Sequence, residues 1–104
     1  MFGLVVLFTL KEGQGEPFDA LTRETVALIR TEEPGTLVYT CHAVDGDPSA
    51  RVFYELYRDR EAFDEHERQD HVRHFLSQRG QYMDVDPRVE FLNLQEGKGV
   101  PGVG

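Results

Sequence analysis

Residues 36–57 read TLVYTCHAVDGDPSARVFYELY, and this stretch decides the fold. Two runs rich in β-branched and aromatic residues, 36–44 and 51–57, flank the turn-forming cluster Asp45-Gly46-Asp47-Pro48-Ser49. Strand-like runs separated by such a cluster predict an antiparallel hairpin. Upstream, Glu33-Pro34-Gly35 closes a helix, because a residue before proline avoids helical angles and Pro-Gly suits the centre of a type II turn. That helix has Pro17 at the expected first helical position. Phe18, Leu21, Thr25, Leu28 and Ile29 follow at helical spacing, with Asp19, Arg23, Glu24 and Arg30 elsewhere on the wheel. Before it come a loop, 11–15, and the apolar run FGLVVLFTL at 2–10, whose length suits a strand buried on both faces. Downstream of the hairpin, Asp59 is placed as an N-cap and Glu61 falls in the first turn, where the helix dipole favours it. Ala62, Phe63 and His66 form the inward stripe of this short helix. Asp70 reads as a second cap, opening a helix with Val72, Phe75 and Leu76 inside and Gly80 at its C′ position. Residues 88–94 (RVEFLNL) supply the fourth strand. The order β-α-β-β-α-β is the ferredoxin-like arrangement of the α+β class, a four-stranded antiparallel sheet with helices on one face.

The bulk composition fits one domain. A chain of 104 residues with 7 Phe and 4 Tyr has enough apolar area for a single core. Residues 1–96 form that domain, and 97–104, half glycine, read as a flexible tail. The net charge of -8 disfavours phosphate backbones and anionic lipid, so neither nucleic acid nor a membrane is expected as a partner. Cys41 is the sole cysteine, which rules out an intrachain disulfide. The run from Leu4 to Phe8 is too short to span a bilayer and lacks the flanks of a signal peptide, so the expected location is cytoplasmic.

Strands one and two are apolar at both parities: Leu4, Val6, Phe8 and Leu10 against Val5 and Leu7, then Leu37, Tyr39 and Cys41 against Val38 and Val44. Two helices hide one face only. A second copy of the chain most simply covers the other, which predicts a homodimer.

Among residues that could carry chemistry, His66 shares the inward stripe of Phe63 and Ala62. Imidazole can exchange a proton near neutral pH, and the plainer reading is a hydrogen-bonded core histidine. Glu55 shares a strand face with Phe53 and Tyr57, and a buried carboxylate there needs a partner such as His66, an arginine or a tyrosine. It could also serve simply as an anchor between strand and helix. His71 and His74 fall on the helix face away from Val72, Phe75 and Leu76, where solvated surface outweighs metal ligation with Glu67 or Asp70. His42 faces away from Tyr39 and Cys41, in the dimer core or a site. Cys41 reads as a small core residue without activating neighbours. No dinucleotide fingerprint, nucleophile elbow or zinc spacing is present, so neither a metal nor a built-in cofactor is expected.

Several of these residues also carry a family resemblance. Glu32–Tyr39 (EEPGTLVY) is similar to the "EPG-x-x-x-Y" passage of the antibiotic-biosynthesis-monooxygenase family, and Phe53–Tyr57 followed by Ala62–His66 resembles its "E-x-(W/Y)…A-x-x-x-H" stretch. His71 takes the second place of "H-x-x-x-x-H". The resemblance covers about residues 2–94. It implies a dimeric α/β barrel built from two ferredoxin-like sheets, with a pocket between sheet and helices in each subunit. Family members include polyketide and quinol monooxygenases that use neither metal nor flavin, haem-degrading enzymes and an isomerase. Carried over, His66 and Glu55 match positions lining that pocket, and Tyr57 matches a frequent Trp/Tyr. His66 and Glu55 are the expected catalytic pair, and Tyr57, Phe53, Phe63, Phe75 and Tyr39 the expected substrate-binding residues. Haem-degrading members have Trp in the place of His66 and a haem-ligating His where this chain has Leu76, so the quinol-monooxygenase branch fits better. The implied activity is cofactor-independent oxygenation of a small phenolic, quinol or polyketide-type aromatic by O2. An isomerase or other proton-transfer enzyme, and a non-catalytic binder, are the alternatives.

Overall fold

The computed structural model describes residues 1–101. Strand β1 (Phe2–Thr9) leads into helix α1 (Gly15–Glu32), then β2 (Thr36–Val44), β3 (Asp47–Tyr57), α2 (Arg60–Arg68), α3 (Asp70–Gln78), a 3-10 turn (Arg79–Tyr82) and β4 (Arg88–Asn93). The sheet order is β2-β3-β1-β4 and every pairing is antiparallel. This is the ferredoxin-like α+β fold the sequence predicts. No helix among the described residues is long and apolar enough to cross a membrane.

The register puts Leu4 opposite both Glu55 and Phe91, and Val6 opposite Phe53 and Val89. Because side chains alternate along a strand, Leu4, Val6 and Phe8 of β1 and Phe53, Glu55 and Tyr57 of β3 share the face under the helices. Phe18, Leu21, Thr22, Thr25 and Ile29 are the buried side of α1. Its two buried threonines satisfy their hydroxyls by donating back to the carbonyls of Phe18 and Leu21, at 3.0 and 2.9 Å. Phe8, Phe18, Phe53 and Phe75 form an aromatic cluster with neighbouring centroids 4.7–6.0 Å apart. Asp59 caps α2 by accepting from the Ala62 N–H at 2.8 Å, as its place in the sequence predicts.

Several local expectations are corrected. α1 begins at Gly15, so Pro17 is its third residue, still within the turn whose N–H groups lack partners. Asp70 is the first residue of α3 rather than its cap, a place occupied by Gln69. Gly80 does not stop α3 in a left-handed C′ conformation; the chain tightens there into the 3-10 turn. Gly35 has no positive φ, so the Pro34-Gly35 turn is not type II, although the Thr36 N–H still bonds the Glu33 carbonyl at 3.1 Å. Glycine is required at 35 for space, since a Cβ there would sit 2.7 Å from the Ala62 Cβ. Leu28 and Leu76, expected on the inner stripes of α1 and α3, are 43% and 39% exposed. Cys41 is exposed rather than in the core, lying on the edge strand β2 of the sheet.

The sheet's second face is uncovered within one chain. Leu7 and Leu92 on it are 40% and 37% exposed, and Val5, Val38, Val52 and Tyr54 are half-buried. Residues 97–101 carry no helix or strand; the rest of the predicted tail, 102–104, lies outside the described residues.

Candidate active site

Between the helix-covered face of the sheet and the α2–α3 pair lies a cavity of about 140 Å³. Its floor is buried and largely apolar: Leu4, Val6, Phe8, Phe53, Phe63, Val72 and Phe75. Glu67, Leu76, Val89 and Phe91 are exposed and mark its mouth, above the edge strand β4 that the helices leave open. Tyr39, Glu55, His66 and Arg79 supply the polar part of the wall.

His66 is 4% exposed and lines this cavity. The α2 periodicity that places Ala62 and Phe63 inward places it too. Its Nδ1 lies 2.6 Å from Glu33 Oε1, while its Nε2 lies 3.9 Å from Glu55 Oε1. Glu33 lines a separate surface cleft on the far side of the imidazole ring, so Nε2 is the nitrogen turned toward the cavity. The Glu33 carboxylate is itself crowded with donors. The Thr36 hydroxyl donates to Oε1 at 2.7 Å and His71 Nε2 donates to Oε2 at 2.5 Å. Burial works to raise the Glu33 carboxyl, but hydrogen bonds from His66, Thr36 and His71 together hold it below the ordinary carboxylate range. An ionised Glu33 is an acceptor only, so it fixes a proton of His66 on Nδ1; in the neutral ring the lone pair is then on Nε2.

On the other side, Glu55 is 5% exposed and accepts the Tyr57 hydroxyl proton at 2.6 Å. Burial raises its carboxyl to about 7 against the lowering influence of Tyr57 and His66. Burial, with Glu55 alongside, also pushes the Tyr57 and Tyr39 hydroxyls well above their ordinary range, so both remain proton donors. The 3.9 Å between Glu55 and His66 Nε2 is too long for a direct hydrogen bond but close enough that one hydroxyl set beside the pair, on the cavity side, can reach both.

Of the residues singled out in the sequence, His66, Glu55, Phe53, Phe63, Phe75 and Tyr39 converge on this cavity. Tyr57 does not line it: fully buried behind the wall, it anchors Glu55. His71 is not solvated as expected; its side chain is 9% exposed and bound to Glu33. His74 and His42 are exposed, the latter hydrogen-bonded to Thr40 at 2.9 Å. The sequence reading missed Glu33 and Arg79. Glu33 stood inside the quoted EPG motif, but its partners are 33 and 38 positions away and no local pattern marked its carboxylate as buried. Among the described residues, no three His, Cys, Asp or Glu side chains are placed to hold a metal ion.

An apolar cavity with a few converging polar groups on a ferredoxin-like scaffold has the form of a small-molecule site. The family model for antibiotic biosynthesis monooxygenase matches residues 1–78, and the chain belongs to that family. Its fold is shared with an antibiotic biosynthesis monooxygenase structure that is 25% identical, with a TM-score of 0.84 over 92% of this chain and all (100%) of that one. A Shewanella oneidensis protein is 27% identical, with a TM-score of 0.79 over 88% of this chain and 87% of that one. A Caulobacter crescentus protein is 23% identical, with a TM-score of 0.86 over 91% and 90%. No curated protein matches the chain.

Proposed function

We propose that this protein is a monooxygenase that oxidises a small phenolic or quinol substrate with O2 and without a cofactor, as a cytoplasmic homodimer. The observation that carries the reading is His66: its Nδ1 is held by Glu33 at 2.6 Å and its Nε2 turns into an aromatic-walled cavity. A phenolic hydroxyl between Nε2 and Glu55 loses its proton to Nε2, and the Glu33 carboxylate stabilises the imidazolium that forms. The resulting anion passes one electron to O2, which removes the spin restriction on their reaction. Recombination of the ring radical with superoxide forms a carbon–oxygen bond, and cleavage of the O–O bond releases one oxygen as water. For a dihydroquinone the balance is one quinol and one O2 giving one hydroxyquinone and one water, the quinol supplying all four electrons. The cavity's size supports cofactor independence: roughly 150 Å³ of apolar space holds a benzene ring, and a flavin or haem is several times larger. The uncovered face around Leu7, Tyr54 and Leu92 supports the homodimer.

One observation favours a second reading. Glu55, raised to about 7 and facing His66 across 3.9 Å, also suits a proton shuttle between two substrate atoms, which is isomerase chemistry. Oxygen consumption with hydroquinone separates the two: a monooxygenase consumes O2 in proportion to product, and an isomerase does not.

A further inference from the structure

Arg79 has no task in the scheme above. It sits where α3 passes into the 3-10 turn, and its side chain lines the cavity rather than pointing to solvent. Its guanidinium carbon lies 5.8 Å from the centroid of Phe8, a ring that is 2% exposed on the cavity floor. That contact holds the cation inward by a cation–π attraction. Among the described residues none of the ion pairs or side-chain hydrogen bonds uses this guanidinium. The other cavity-lining carboxyls, Glu55 and Glu67, act on it only from beyond ion-pairing distance. Arg79 is thus a half-buried fork of hydrogen-bond donors without a protein acceptor. Burial lowers its guanidinium from the ordinary range, a cost that an anion placed against it reverses. Arg79 lines the same cavity as His66, the proposed proton acceptor, and as Glu55 and Tyr39.

We propose that the cavity selects a single-ring aromatic carboxylate, a hydroxylated benzoate, with Arg79 taking the carboxylate in a bidentate pair while a ring hydroxyl reaches His66. The size favours a single ring, since about 140 Å³ is close to the roughly 150 Å³ that holds benzene, with the ring's substituents turned to the polar wall and the mouth beside Leu76 and Phe91. Planar, bidentate recognition is what a guanidinium does better than an ammonium. The substrate class rests on the proposed oxygenase reading, but the binding preference does not.

The test is anaerobic calorimetry with two probes of equal shape, 2,5-dihydroxybenzoate and its neutral amide, on the wild-type protein and on Arg79→Met and Arg79→Lys. The acid is expected to bind about tenfold or more tighter than the amide. Arg79→Met should bring the two affinities together, and Arg79→Lys should keep part of the preference and show that the fold survives substitution. Equal wild-type affinities, binding of neither probe, or a preference that persists in Arg79→Met overturns the inference. Oxygen uptake with hydroquinone in a protein lacking the preference leaves the oxygenase reading standing alone. A preference for the acid without oxygen uptake from either substrate removes the oxygenase reading and leaves the anion site.

Discussion

Replacing Glu55 by Gln should make the protein more stable above neutral pH, and the gain should appear in a defined window. Burial raises the Glu55 carboxyl from 4.5 to about 7. Between those two values the folded chain holds a proton that the unfolded chain has released. Stability therefore falls as pH rises through the window and is flat above it. A displacement of that size is worth no more than ~3–4 kcal/mol, at about 1.4 kcal/mol per pH unit. Glutamine removes the titration and keeps the shape. Its carbonyl oxygen can still accept the Tyr57 hydroxyl proton that Glu55 accepts at 2.6 Å. Glu33 acts in the opposite sense and in a different window, since its lowered carboxyl contributes stability that is lost as pH falls below 4.5. Urea unfolding at fixed protein concentration and ionic strength, from pH 4.5 to 8, gives the difference between Glu55→Gln and wild type. It should be near zero at pH 4.5 and grow to between about 1 and 3 kcal/mol at pH 8. Parallel curves, or a variant less stable than wild type at pH 8, would refute the account of Glu55 as a buried carboxyl kept near its protonation midpoint.

Other consequences follow from the same geometry. Nitrogen NMR of the imidazoles should find His66 protonated on Nδ1 in the neutral form, and Glu33→Gln should shift the population toward the other tautomer. His66→Ala should abolish turnover and also cost about 1–3 kcal/mol, because it strips a donor from buried Glu33; His74→Ala should change neither. Light scattering should give about twice the 11.9 kDa chain mass, and Leu7→Asp on the uncovered sheet face should return the monomer or unfold it. Gly35→Ala should destabilise by about 1–3 kcal/mol through its clash with Ala62, with recovery in the double variant carrying Ala62→Gly; no recovery would show that the close approach is not the cause.

What the sequence displayed was whatever local periodicity controls. The parity of β3 puts Glu55 with Phe53 and Tyr57, and the α2 stripe puts His66 with Ala62 and Phe63; both hold in the fold. What it concealed depends on contacts between distant segments. Glu33 looked like a helix-ending turn residue, yet its carboxylate is buried by histidines 33 and 38 positions away. His71 falls outside the α3 stripe drawn from Val72 and Phe75, but Glu33 at the end of α1 reaches across to meet it. Arg79 carries no local signal in the sequence; its place against Phe8 on the cavity wall is set by a contact between β1 and the end of α3. Cys41 and Val44 satisfy an alternating strand pattern yet are exposed on the edge strand β2, and strand parity carries no information about how far along an edge the neighbouring layers reach.

The central claim is that His66, held by Glu33, drives oxygenation in a cavity that needs no cofactor. An oxygen electrode reading of the purified chain with hydroquinone, corrected for autoxidation, tests it most directly. The account predicts uptake of one O2 per hydroxyquinone formed, unaffected by a chelator and lost in His66→Ala. No uptake above autoxidation across a panel of quinols and hydroxybenzoates, or uptake that requires added flavin, haem or metal, would contradict it.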